Sequence, residues 1–85
     1  MKLKDNFLIH QTGEQTHLVD VSGAFNGLVT GNATTAFILQ QLTKDTTEAE
    51  VLAALKQEYD GPEELMARDV HKIVEKLQSI GALES

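Results

Sequence analysis

The chain has 85 residues, no cysteine, and a formal charge of −6 from thirteen Asp and Glu against seven Lys and Arg. This length is that of one domain, residues 1–85. Folding at this size buries only roughly 60–65% of the unfolded surface, which leaves little for a deep catalytic cleft. The missing thiols exclude disulfides, thiolate catalysis and cysteine-ligated zinc. The acidic balance argues against nucleic acid, whose binders gain affinity by neutralising phosphates, and against an anionic membrane surface.

In chain order, MKLKDNFLIH carries two lysines but is interrupted by Asp5 and Asn6 before an apolar run develops, so it does not read as a signal peptide. No stretch approaches the roughly 18–20 apolar residues that span a bilayer. A cytoplasmic protein is the expectation. NFLIHQTGEQTHLVDV reads as a hairpin turning at Gly13-Glu14, because a type II′ turn takes Gly at its first central position. That register sets Ile9 opposite Leu18 and His10 opposite His17. A glycine-punctuated loop, residues 22–27, leads to a short third strand, Leu28 to Thr30.

Three helices follow. Asn32 suits an N-cap, and ATTAFILQQL then forms a helix apolar nearly all round, which belongs in the core. Thr47 and Glu50 have capping-box spacing, and Val51, Leu52, Leu55 and Tyr59 share one face of the second helix. Pro62 fits the first turn of the third. There Met66, Val70, Ile73, Leu77 and Ile80 recur at spacings of 4, 3, 4 and 3 as a core stripe, and Gly81 is the expected left-handed stop. Strands first and helices after give an α+β class: a three-stranded antiparallel sheet followed by a three-helix bundle, in a small winged-helix-like arrangement.

Chemistry-bearing patterns are sparse. His10 and His17 lie opposite each other on the hairpin, but a zinc site takes three or four ligands; Asp20 and Glu14 qualify by proximity alone. Asp69 and His71, two apart on a helix, point in different directions. No Gly-x-Ser-x-Gly elbow, Gly-rich phosphate loop or His-Glu-x-x-His is present in the sequence. Neither a metal, nor a cofactor, nor catalysis is expected. The acidic residues Glu48, Glu50, Glu63 and Glu64 sit in first turns of helices, where they complement the dipole.

Phe25-Asn26-Gly27 before the third strand, Asn32 opening the first helix, Thr47 and Glu50 opening the second, Tyr59-Asp60 at its end, Asp69-Val70 in the third and Gly81-Ala82-Leu83 at the finish occur here in one order. In that order and spacing the chain resembles the PqqD-like family over nearly its whole length. It departs at Gly31, where the family usually has Leu, and at Leu39, where it often has Trp. Gly31 is expected to loosen the strand-to-helix junction. The resemblance implies a winged helix-turn-helix reused as a recognition domain for ribosomally made precursor peptides. The leader of the precursor would add as a strand to the third strand, in a groove bounded by the third helix. It would then be presented to a modifying enzyme, commonly a radical SAM protein.

A three- or four-residue edge, at about 0.5–1.5 kcal/mol per hydrogen bond, falls short of the roughly 8 kcal/mol of micromolar binding, so apolar contacts must supply the rest. The expected edge is Leu28, Val29, Thr30 and Gly31. Beside the core stripe of the third helix runs a second strip, Ala67, His71, Val74 and Gln78, which with Glu75 is expected to line the groove. Val74 either floors that groove or widens the core stripe. Phe25, Phe37, Ile73 and Leu77 are expected to hold edge and helix apart. Two alternatives remain at this level: a winged-helix DNA-binding regulator, for which Arg68, Lys72 and Lys76 among four acidic residues make a poor footprint, and a subunit that scaffolds an enzyme without touching peptide. The oligomeric state reads as a monomer or, by exchange through residues 22–31, a swapped dimer.

Overall fold

A computed structural model describes residues 1–23 and 28–84. The elements in order are β1 (Lys2–Leu3), β2 (Phe7–Thr12), β3 (Gln15–Asp20), β4 (Leu28–Thr30), α1 (Ala33–Gln41), α2 (Glu48–Glu58), α3 (Glu63–Ser79) and β5 (Leu83–Glu84). The sequence-level third strand is thus β4. β2, β3 and β4 form an antiparallel sheet in that order, and the three helices follow it, the expected α+β winged helix-turn-helix-like arrangement.

The hairpin has the expected register, Ile9 opposite Leu18 and His10 opposite His17. Gly13 takes φ +61° while Glu14 keeps a negative φ, as a type II′ turn requires. The strict alternation of a strand then decides the faces. Thr16, Leu18 and Asp20 of β3 are buried on one face, while Val19 opposite Leu8 stays exposed on the other. The Asp20 carboxylate accepts from Asn6 Nδ2 at 2.9 Å and from the backbone and hydroxyl of Ser22 at 2.9 and 2.6 Å, so its burial is compensated.

Asn32 caps α1, its Oδ1 accepting from the Thr34 and Thr35 amides at 2.9 and 3.1 Å. Thr47 caps α2 by accepting from the Glu50 amide at 3.2 Å, and its hydroxyl donates to Glu50 Oε1 rather than leaving that carboxylate to its own backbone. α3 begins one residue later than expected: Pro62 is its N-cap, and its carbonyl accepts from Leu65 and Met66. At the other end Gly81, at φ +71°, closes a Schellman motif, with Ala82 N donating to the Leu77 carbonyl and Gly81 N to that of Gln78.

The core gathers Leu18, Ile38, Leu42, Val51, Leu55, Val70 and Leu77, all almost fully buried. One feature exceeds the sequence expectation: β1 and β5 pair antiparallel, with Lys2 opposite Glu84 and Leu3 opposite Leu83, forming a second small sheet. Leu3 N donates to the Leu42 carbonyl and Lys4 N to that of Ala82, so this sheet fastens both ends of the described chain to the helices.

Candidate functional site

β4 is an edge strand. It pairs with β3 through Thr16 opposite Thr30, His17 opposite Val29 and Leu18 opposite Leu28, and its other side has no strand beside it among the described residues. Leu28 and Thr30 turn inward and are half-buried, whereas Val29 is 59% exposed on the outer face. The strand runs directly into α1, where the Asn32 amide donates to Thr30 Oγ1 at 3.0 Å. Gly31 has a negative φ and open space where a Cβ would stand, so nothing in the structure requires glycine there.

Between β4 and α3 lies a groove of about 220 Å³. Its walls are the three β4 residues on one side and Lys72, Ile73, Lys76 and Leu77 of α3 on the other, with Thr35 and Leu39 of α1 at the back. Leu39 and Leu77 are buried and Ile73 is only partly buried, so the floor is apolar and reached by solvent. Its volume is below the roughly 300–1,000 Å³ of small-molecule pockets and suits one or two apolar side chains of an extended chain.

Two other hollows lack this combination. The cleft at the opposite sheet edge, beside β2, is also about 220 Å³ but is bounded by Lys2, Lys4 and Asp5, and none of its lining residues belongs to a helix. A larger hollow of about 540 Å³, lined by Gln11, Asn32, Gln40 and the edge-on Phe37–Tyr59 pair, includes no β4 residue.

The helix side of the sequence-derived site is displaced. At 3.6 residues per turn, Ala67, His71, Val74, Glu75 and Gln78 form the flank of α3 opposite to Lys72, Ile73 and Lys76. Val74 is 3% exposed and belongs to the core, so it widens the core stripe rather than flooring the groove. His71 lies between two carboxylates, Nδ1 at 3.1 Å from Glu48 of α2 and Nε2 at 2.7 Å from Glu75. Ala67 borders a hollow shared with Glu48, Ala49 and Leu52 of α2. Gln78 is exposed. Of the residues expected to space edge from helix, Leu77 is fully buried, Ile73 lines the groove, and Phe37 turns instead to Tyr59. Phe25-Asn26-Gly27 fall outside the described residues. Gly31 borders the larger hollow rather than the groove. The signal overlooked in the sequence is a repeated pair, Lys72-Ile73 and Lys76-Leu77, one turn apart.

The family model described as Coenzyme PQQ synthesis protein D (PqqD) matches residues 12–83. The chain belongs to the PqqD family. This PqqD-family chain is similar in fold to the protein in the solved structure of TbiB1 in complex with the TbiA(beta) leader peptide, at TM-score 0.78 and 22% identity, over 100% of this chain and 96% of that one. It is also similar to a lasso peptide synthetase B1 solved with its leader peptide, at TM-score 0.73 and 28% identity, over 99% and 96% of the two chains. No individual curated protein matches the sequence. Among the described residues there is no group of three or more His, Asp or Glu side chains placed to hold a metal, and no helix is long and apolar enough to cross a membrane.

Proposed function

We propose that this PqqD-family chain is a non-catalytic recognition domain that binds the leader of a ribosomally made precursor peptide and presents it to a modifying enzyme. The observation that carries this reading is the edge of β4, unpaired among the described residues, beside an apolar groove under α3. The leader adds as a strand to Leu28, Val29 and Thr30, which supplies main-chain hydrogen bonds whatever its sequence, while the groove discriminates among side chains. Two apolar guest side chains buried there add about 3–6 kcal/mol, which offsets the roughly 2–5 kcal/mol a disordered leader loses on ordering. The helix side of the site is Lys72, Ile73, Lys76 and Leu77, in place of Ala67, His71, Val74, Glu75 and Gln78. That two structural neighbours were solved with leader peptides supports the same reading.

The resemblance favours a radical SAM enzyme as the partner. The neighbour named as a lasso peptide synthetase B1 favours a second reading, in which the enzyme belongs to a lasso peptide synthetase. Co-purification with each enzyme class, in the presence and absence of leader, separates them. Binding itself is tested by a ¹H–¹⁵N titration with the leader of a precursor encoded beside this gene. Shifts at residues 28–30 and 72–77 are expected. Saturating leader that leaves those amides unmoved, with an enzyme complex indifferent to leader, would place the scaffolding alternative first.

A further inference from the structure

Lys72 and Lys76 are exposed and both line the groove, and neither makes an ion pair among the described residues. Each stands next in sequence to an apolar groove residue, Ile73 and Leu77, so both apolar walls on α3 have an ammonium beside them. Long lysine stems cover apolar surface while their charged heads remain in water, which places two positive charges at the rim of an apolar slot. The surrounding chain has the opposite sign, −6 overall. Glu75, adjacent in sequence to Lys76, is turned to His71 on the other flank at 2.7 Å. Asp69, three residues before Lys72 on the same flank, lies outside the groove lining and pairs with neither lysine.

We propose that the groove selects an acidic guest: an extended peptide whose apolar side chain fills the slot and whose Asp or Glu residues, within about two positions of that anchor, meet Lys72 and Lys76. The inference rests on the strand-addition reading above and adds the charge of the ligand to it. Residues four apart on a helix are separated by about 6 Å along its axis. Alternate residues of a strand repeat at about 6.6 Å. A guest strand lying along α3 therefore brings successive same-face residues to successive lysines. Asp69 confines the preference to the second half of the helix, so the favoured carboxylates are those over residues 72–76 and not those further toward the start of α3.

The test uses three synthetic peptides on one scaffold of spaced leucines, with the intervening polar positions all Glu, all Gln or all Lys, titrated into the full chain by ¹H–¹⁵N NMR. The Glu peptide is expected to bind about three- to tenfold more tightly than the Gln peptide, the range two exposed ion pairs give, with the Lys peptide weakest. Added salt shrinks that advantage as the Debye length falls below about 10 Å. In Lys72→Glu/Lys76→Glu the order of the three peptides reverses, and Lys72→Gln/Lys76→Gln levels it without reversing any surface charge. Equal affinities with shifts still at residues 28–30 overturn the acidic preference and leave strand addition intact. A Glu peptide that moves no amide at 28–30 or 72–77 at saturation overturns both.

Discussion

On the flank of α3 that meets β4, Ile73 is only partly buried and two lysines pair with no carboxylate among the described residues; on the flank that meets α2, Val74 is 3% exposed and His71 lies between Glu48 and Glu75. One helix thus carries a completed interface and an incomplete one. The completed flank has Val74 covered and its His71 in contact with carboxylates of α2 and α3 within the chain. The other exposes an apolar slot beside two cations and a strand edge that are all unpaired among the described residues. Sheet edges are hazards that proteins commonly cover, shorten or charge. β4 is short and charged residues stand over it, but the floor between them remains apolar, which is what a guest strand requires.

The sharpest way to break this comparison is a pair of adjacent substitutions. Val74→Asp buries an unpaired charge and is expected to cost at least about 3 kcal/mol of stability, read as a lowered urea midpoint. Ile73→Asp places the same charge in the open groove. Its stability loss is expected to be smaller, while leader affinity falls at least tenfold, about 1.4 kcal/mol, measured by calorimetric titration. Equal stability losses at the two positions would mean that α3 is turned differently and that the two flanks are not distinct.

Effects near 1 kcal/mol come from the segment that holds the edge in place. Asn32→Ala removes the acceptor for two α1 amides and is expected to cost about 1 kcal/mol. Gly31→Ala, one residue earlier, fills open space at a negative φ and is expected to stabilise by about 0.4–1 kcal/mol through the unfolded chain. Urea unfolding of both variants, with leader affinity measured alongside, sharpens the comparison: an edge held better at Gly31 should not bind leader less.

The sequence made the elements legible wherever a single residue or a short period settles the geometry. Gly13 pins the hairpin and with it the pairing of Ile9 with Leu18; Asn32 and Thr47 announce helix starts; Gly81 announces the Schellman stop. The edge strand itself was legible for the same reason, because β4 ends at a cap one can read. Which flank of α3 meets that edge was not. A 4-3 apolar repeat locates the stripe that faces the core but is silent on which flank of that stripe turns to the sheet and which to α2. That choice is made by the packing of α2 against α3, a long-range fact. For this reason Ile73, placed wholly in the core, is only partly buried and lines the groove, and Val74, placed on the stripe's margin, is 3% exposed. The pairing of β1 with β5 was illegible for a related one. Two-residue strands carry no period, and Lys2 meets Glu84 only once everything between them has folded.

The smallest expected effect is also the cleanest check on the flank that is already complete. His71 is 60% exposed, so its contacts to Glu48 and Glu75 join α2 to α3 in water, where such pairs contribute about 0–1 kcal/mol. His71→Ala is expected to lower stability by no more than that and to leave leader Kd within about twofold, since RT ln 2 is only about 0.4 kcal/mol. Lys72→Gln/Lys76→Gln, also at exposed positions, should do the reverse: unchanged unfolding and weaker binding of an acidic peptide. If His71→Ala instead weakened the peptide tenfold at unchanged stability, the guest would lie on the α2 side of the helix, against a surface whose side chains already contact one another. The groove beside β4 would then have no occupant, and its unpaired lysines and open apolar floor would have no functional reason. For that reason the two sets of variants belong in one experiment: each flank is the control for the other.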